Sequence, residues 1–214
     1  MNTTLNPPTE TERRSMAWSG LAAGITGALA TMMSSTPVAL SDRRADPAAA
    51  VTEAFDGLEV TLKAASALGL VSVAFLVVFM TVLRRRLVPQ HATDSAIPAL
   101  AWTGGIMTGA ALSVAFIVSA IAGTLVDEGY RDTTLEVFGA LADNLAFAAW
   151  APLGLTMASV AVSGLRHHAA PRWLGMISAG TTLLLLVALA LGLPFASWIL
   201  ACGWLLAASV ACAR

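Results

Sequence analysis

The feature that most constrains this chain is a succession of long apolar stretches cut only by short clusters of charge. The clearest is the last, Arg172 to Ala213, which is almost wholly apolar. As one helix it would extend about 60 Å, twice the thickness of a bilayer's hydrocarbon core. It must therefore fold back, and Gly192-Leu193-Pro194 is the natural break. A segment in lipid must satisfy its own backbone polar groups, which a helix does within itself. The same reading along the chain predicts spans at about 16–40, 62–83, 99–126, 134–164, 173–193 and 195–213. The expected fold is all-α: a polytopic transmembrane bundle of about six spans, forming one domain over residues 15–214. A five-span arrangement with an irregular tail is the alternative for the last stretch.

Composition agrees. Of 214 residues, 57% are apolar and 12% charged, about half the charged fraction of a soluble domain. Too few charges remain to cover a surface facing water. The net charge of −1 offers no ground for nucleic-acid binding. Cys202 and Cys212 fall on one predicted helix, about 15 Å apart along its axis, and so cannot pair with each other.

Residues 1–14 are polar, contain Pro7-Pro8, and are expected to be an unstructured cytoplasmic terminus. The apolar run after Arg13-Arg14 exceeds the core of a cleavable signal and reads as a retained helix. Between spans one and two, Asp46-Pro47 is a helix start, and Val51, Phe55, Leu58 and Leu62 recur at helical spacing. This predicts an amphipathic helix on the membrane surface. Lys63 follows Glu59 by four residues, the favourable order for an ion pair along one helix. Thr133 and Glu136 have capping-box spacing.

Charge sets the expected orientation. Arg13, Arg14, Arg84, Arg85, Arg86, Arg166, Arg172 and Arg214 would lie on one side, and Arg43, Arg44, Lys63 and Arg131 on the other. The positive-inside rule then puts both termini in the cytoplasm of a bacterial cell. Trp18, Trp102, Trp150, Trp173 and Trp198 are read mostly as interface anchors. Leu83-Arg84 through Pro89 and Leu165-Arg166 through Pro171 share the pattern L-R-x4-P. That echo reads as the common grammar of a cytoplasmic stop, with a repeated two-helix unit as the alternative.

Few residues suggest chemistry. Asp143 and Asn144 fall within span four, and intramembrane carboxylates usually face a bundle interior or a wet cavity. They are a possible proton or cation site, set against a structural polar pair near the outer interface. Pro152 lies further along the same span, where it can kink the helix. Gly20 and Gly24 in span one, and Gly105 and Gly109 in span three, have the four-residue spacing of helix-packing faces. These faces would serve packing within the bundle or a homodimer. His91, His167 and His168 read as solvated loop histidines, so no metal and no cofactor are expected. Gly139 and Asp143 fit part of the aspartate-rich motif of CDP-alcohol phosphotransferases. Phe147 stands where its last carboxylate belongs, and that reading is set aside.

The second half, with Pro171-Arg172-Trp173-Leu174-Gly175 opening a span after a short basic loop, resembles an uncharacterised family of six-helix integral membrane proteins common in actinobacteria. The Val82-Leu83-Arg84-Arg85 end of span two fits the same pattern. The resemblance implies a six-helix bundle, and it carries over no activity and no functional residues. The expected role is that of a non-enzymatic membrane component, working in the lipid bilayer by helix contacts with a membrane-protein partner or a second copy. One alternative is a small transporter or channel using Asp143 and the hydroxyls Thr26, Thr31, Ser34 and Ser35. Another is a lipid-modifying enzyme using Asp127, Glu128 and Asp132.

Overall fold

The computed structural model describes residues 10–34, 57–90, 95–130, 133–168 and 170–213. Its elements are α1 (Glu10–Ser34), α2 (Glu59–Leu87), α3 (Ile97–Asp127), α4 (Thr133–Arg166), α5 (Arg172–Ala190) and α6 (Pro194–Ala213). A short 3₁₀ turn, Val88–Gln90, follows α2. Among the described residues the protein is all-helical. Helices α1 to α5 are each long and apolar enough to cross a membrane. Helix α6 is apolar but shorter over Ala196–Ala211. The chain is thus a multi-pass membrane protein.

The predicted limits of α2 to α6 lie within four residues of those observed, 62–83 against Glu59–Leu87 being the widest difference. Helix α1 departs further. It starts at Glu10, so Glu10 to Arg14 form helix where an unstructured terminus was expected. Within that added turn Arg14 Nη2 lies 2.6 Å from Glu10 Oε1, an exposed ion pair one turn apart. The expected surface helix between spans one and two, residues 35–40 and the side chains of the Thr133–Glu136 box lie outside the described residues.

The tight α5–α6 hairpin has a specific chemistry. Gly192 adopts φ +65°, a left-handed conformation that glycine takes without steric cost. From there its N–H donates to Leu189 O, and Leu193 N–H donates to Ala188 O at 2.8 Å. This is a Schellman cap, which satisfies carbonyls that a helix end leaves open. Pro194 then opens α6 at the first helical position, where a missing N–H costs nothing. The α3 end repeats the device. Gly129 has φ +86°, with Gly129 N–H to Val126 O and Tyr130 N–H to Leu125 O.

The helices form a closed ring in chain order: α1 on α2, α2 on α3, α3 on α4, α4 on α5, α5 on α6, and α6 back on α1. Neighbours run antiparallel, since Gly20 of α1 faces both Phe79 of α2 and Ser209 of α6. The core holds Phe79, Met80, Phe116, Trp150, Met157 and Trp204. Trp150, at 3% exposure, sits midway along α4 and fills the core instead of anchoring an interface, and Trp198 is also buried. Trp18, by contrast, is 71% exposed.

Antiparallel order gathers charge. One end of the bundle collects Arg13, Arg14, Arg84, Arg85, Arg86, Arg166 and Arg172, with His167 and His168 in the α4–α5 turn. Arg84 stacks there over the Trp102 ring, 5.2 Å from its centroid, a contact between α2 and α3. The other end carries Glu59, Lys63, Asp127 and Glu128.

Candidate functional site

Helix α4 runs unbroken through Pro152 and turns its apolar side, with Ala149, Trp150, Leu153, Met157 and Val160, into the core. Asn144 falls on the opposite, exposed side, while Asp143, also exposed, lies at the flank of the core face, in register with buried Gly139 one turn before it and Trp150 two turns after it. Asn144 shares a stripe with Val137, Leu141, Ala148, Ala151 and Leu155, all exposed. Its Nδ2 donates 2.7 Å to Ala140 O, one turn back. That bond satisfies a side-chain amide locally. Asn144 therefore does not point into the ring.

What does line the interior is hydroxyl. Among the described residues, every buried polar side chain is Ser or Thr. Most of these hydroxyls donate to a carbonyl one turn back, as Ser66 does to Leu62 O, Thr108 to Gly104 O and Ser209 to Leu205 O. Three bridge helices. Ser72 Oγ of α2 donates 2.8 Å to Ala23 O of α1. Thr156 Oγ1 of α4 donates 2.7 Å to Ala101 O of α3. Trp204 Nε1 of α6 donates 2.9 Å to Ser178 Oγ of α5. These are the short polar contacts that fasten helices in lipid, where no water competes.

Gly20, Gly24, Gly105 and Gly109 lie at three seams of the ring. Gly20 meets Ser209 and Phe79, and Gly24 meets Leu206 and the Cys202 carbonyl, so they join α1 to α6 and α2. Gly105 meets Met80, and Gly109 meets Val73 and Leu76, so they join α3 to α2. Glycines outside those two four-residue pairs are as tightly packed. Gly69 faces the Phe116 ring, Gly104 faces the Pro152 carbonyl, and Gly164 and Gly175 bring α4 and α5 together backbone to backbone. A signal was present for the last pair: small residues stand at matched distances on either side of the short 167–171 turn. Gly175 also closes the Pro171-Arg172-Trp173-Leu174-Gly175 stretch, whose Pro171 carbonyl accepts the N–H groups of Leu174 and Gly175.

Lys63 corrects a local expectation. Its Nζ donates 2.8 Å to Asp127 Oδ2 of α3, and it is not Glu59, one turn back, that receives it. Gly123 explains the choice. Without a side chain it lets Leu62 Cβ, the Glu59 carbonyl and Lys63 Cγ come within about 3.5 Å of its Cβ position. Asp127 is one turn further along α3, level with the ammonium. Glu128 is exposed beside it, while Asp132 lies outside the described residues.

His167 and His168 are exposed in the α4–α5 turn, and His91 lies outside the described residues. Cys202 is a buried free thiol. Among the described residues no three His, Cys, Asp or Glu side chains converge as metal ligands would. No protein-family model matches the chain, no curated protein matches it, and no solved structure matches it.

Proposed function

We propose that this chain is a non-enzymatic component of a bacterial cytoplasmic membrane that acts through lateral helix contacts with another membrane protein. Both termini lie on the cytoplasmic side in this proposal, since the end that carries Arg13, Arg14, Arg84, Arg85, Arg86, Arg166 and Arg172 is the one the positive-inside rule assigns to the cytoplasm. Membership of the uncharacterised actinobacterial-type family belongs to the same proposal and rests on the Pro171–Gly175 stretch.

One observation supports the contact role above others. The buried polar residues among those described are serines and threonines, and the hydrogen bonds that cross seams, Trp204 Nε1 to Ser178 included, join one helix to the next. Such an interior is fitted to hold six helices in fixed relation. A fixed bundle presents stable outer faces, and among α1 to α5 it is α5 that presents the largest share, with only 28% of its span buried. Met176, Leu183, Leu184 and Leu186 stand outward on it.

Native mass spectrometry of the protein, gently extracted from its own membrane, tests the reading. A stoichiometric second protein is the expected result. A lone monomer or homodimer, combined with solute or proton flux in proteoliposomes that Asp143→Asn abolishes, would overturn it in favour of transport.

A further inference from the structure

The seam that closes the ring is not filled along its whole length. Helices α1 and α6 touch where Gly20 faces Ser209 and where Gly24 faces Leu206. Beside that contact, toward the basic end, they leave a groove of about 260 Å³ lined by Arg14, Ala17, Trp18, Leu21, Ser209 and Val210. Residues 14, 17, 18 and 21 have spacings of three and four, so one face of α1 forms a whole wall.

The wall is graded in chemistry. The Arg14 guanidinium stands at the mouth, its side chain 74% exposed. One turn deeper comes the Trp18 indole, then Leu21 with Val210 opposite. The Ser209 hydroxyl is already spent on Leu205 O, so the deeper groove asks for no polar partner. At the mouth, one Arg14 N–H goes to Glu10, and a guanidinium has five to give. Among the described side chains, Glu10 is the one carboxylate at an end that carries seven arginines.

An occupant of this groove should have an anionic head above an apolar tail, because charge is complementary at the mouth and apolar surface continues beneath. We propose that the α1–α6 groove binds one anionic glycerophospholipid, its phosphate at Arg14 and an acyl chain along Trp18, Leu21 and Val210. Arginine suits the head, since its planar fork matches two phosphate oxygens. The site does not rest on the contact role proposed above and would stand if that role failed.

The test is native mass spectrometry of the purified, delipidated protein in detergent, with added phosphatidylglycerol or phosphatidylcholine of identical chains. The expected result is a one-to-one adduct that favours phosphatidylglycerol by about tenfold, because both lipids offer the phosphate but only phosphatidylcholine sets a fixed cation against the arginine-rich end. Arg14→Gln should remove that preference, and Glu10→Gln, which frees the guanidinium, should raise it. Arg166→Gln removes an arginine from the same end on α4, which is not a ring neighbour of α1, and should leave the preference unchanged. Inorganic phosphate at millimolar concentration should not displace the lipid, because it lacks the tail. Equal adducts of the two lipids on the unsubstituted protein would overturn the proposal. So would an Arg166→Gln loss as large as that of Arg14→Gln, or displacement by free phosphate. If Arg14→Gln fails to fold, Glu10→Gln decides: no rise in the phosphatidylglycerol preference overturns the site.

Discussion

The α3–α4 seam and the α1–α6 seam both depend on glycine, but their glycines face different things. A Cβ on Gly104 of α3 would lie 2.6 Å from the Pro152 carbonyl oxygen and 2.8 Å from Thr156 Oγ1. That carbonyl belongs to the α4 backbone and cannot step aside without moving the helix. A Cβ on Gly24 of α1 would lie 3.1 Å from the Leu206 Cδ2 atom, the end of a half-buried side chain that can turn. Four-residue glycine spacing marks the second seam in the sequence, while Gly104 has no such partner among the selected pairs. Spacing thus identifies a face that packs closely, but not how rigid the packing is.

Alanine at the two positions should break the comparison most widely. Overpacking a close contact costs about 1–3 kcal/mol. Replacing a helical glycine by alanine returns about 1 kcal/mol of helix propensity. At Gly104 the obstacle is backbone, so overpacking wins and Gly104→Ala should lose about 2 kcal/mol. At Gly24 the obstacle moves by a few tenths of an ångström, so propensity balances it. Gly24→Ala should stay within about 1 kcal/mol of the unsubstituted protein. Unfolding midpoints in a denaturing-detergent titration would measure both. Equal midpoints would erase the distinction drawn between the seams.

Thr156→Val sharpens the same contrast on a smaller scale. It keeps the shape beside Gly104 but deletes the hydroxyl that donates to Ala101 O. Interhelical side-chain hydrogen bonds in membrane proteins are worth about 0.6 kcal/mol, with about 1.7 as the upper limit measured. The expected loss lies in that interval, below that of Gly104→Ala. A larger loss would mean that the hydrogen bond, and not the fit of Gly104 against Pro152, holds α3 on α4.

The residues explain which parts of this architecture can be read without coordinates. The span limits follow from hydropathy because lipid selects each segment as a whole. The α5–α6 hairpin follows from Gly192 and Pro194 because both act on their own backbone. Helix neighbours do not follow. In a bilayer the outward side of a helix is as apolar as the inward side, so apolar periodicity carries little information about facing. Leu183 and Leu185 are alike in sequence, yet one is 64% exposed and the other fully buried. Asp143 shows the same limit: the sequence sets its level in span four, and the coordinates show it exposed at the flank of the core face. Lys63 shows a third. The nearest carboxylate in sequence loses to one 64 residues away, because Gly123 brings α3 against the start of α2.

That ion pair yields the smallest effect and the last test of the seams around α3. Lys63 and Asp127 close the α2–α3 seam at its outer end, but their side chains are 42% and 61% exposed. Charges in water gain little by meeting, since each trades hydration for its partner and gives up side-chain freedom. Lys63→Met keeps the apolar stem that packs on Gly123 and removes only the charge. At physiological salt its unfolding midpoint should match that of the unsubstituted protein. At low ionic strength, where screening fades, the variant should fall slightly below. A clear loss that persists in high salt would mean that the outer end of the seam is held by charge. Gly123 and Leu62 would then be bystanders to the pair and not the contact that places it.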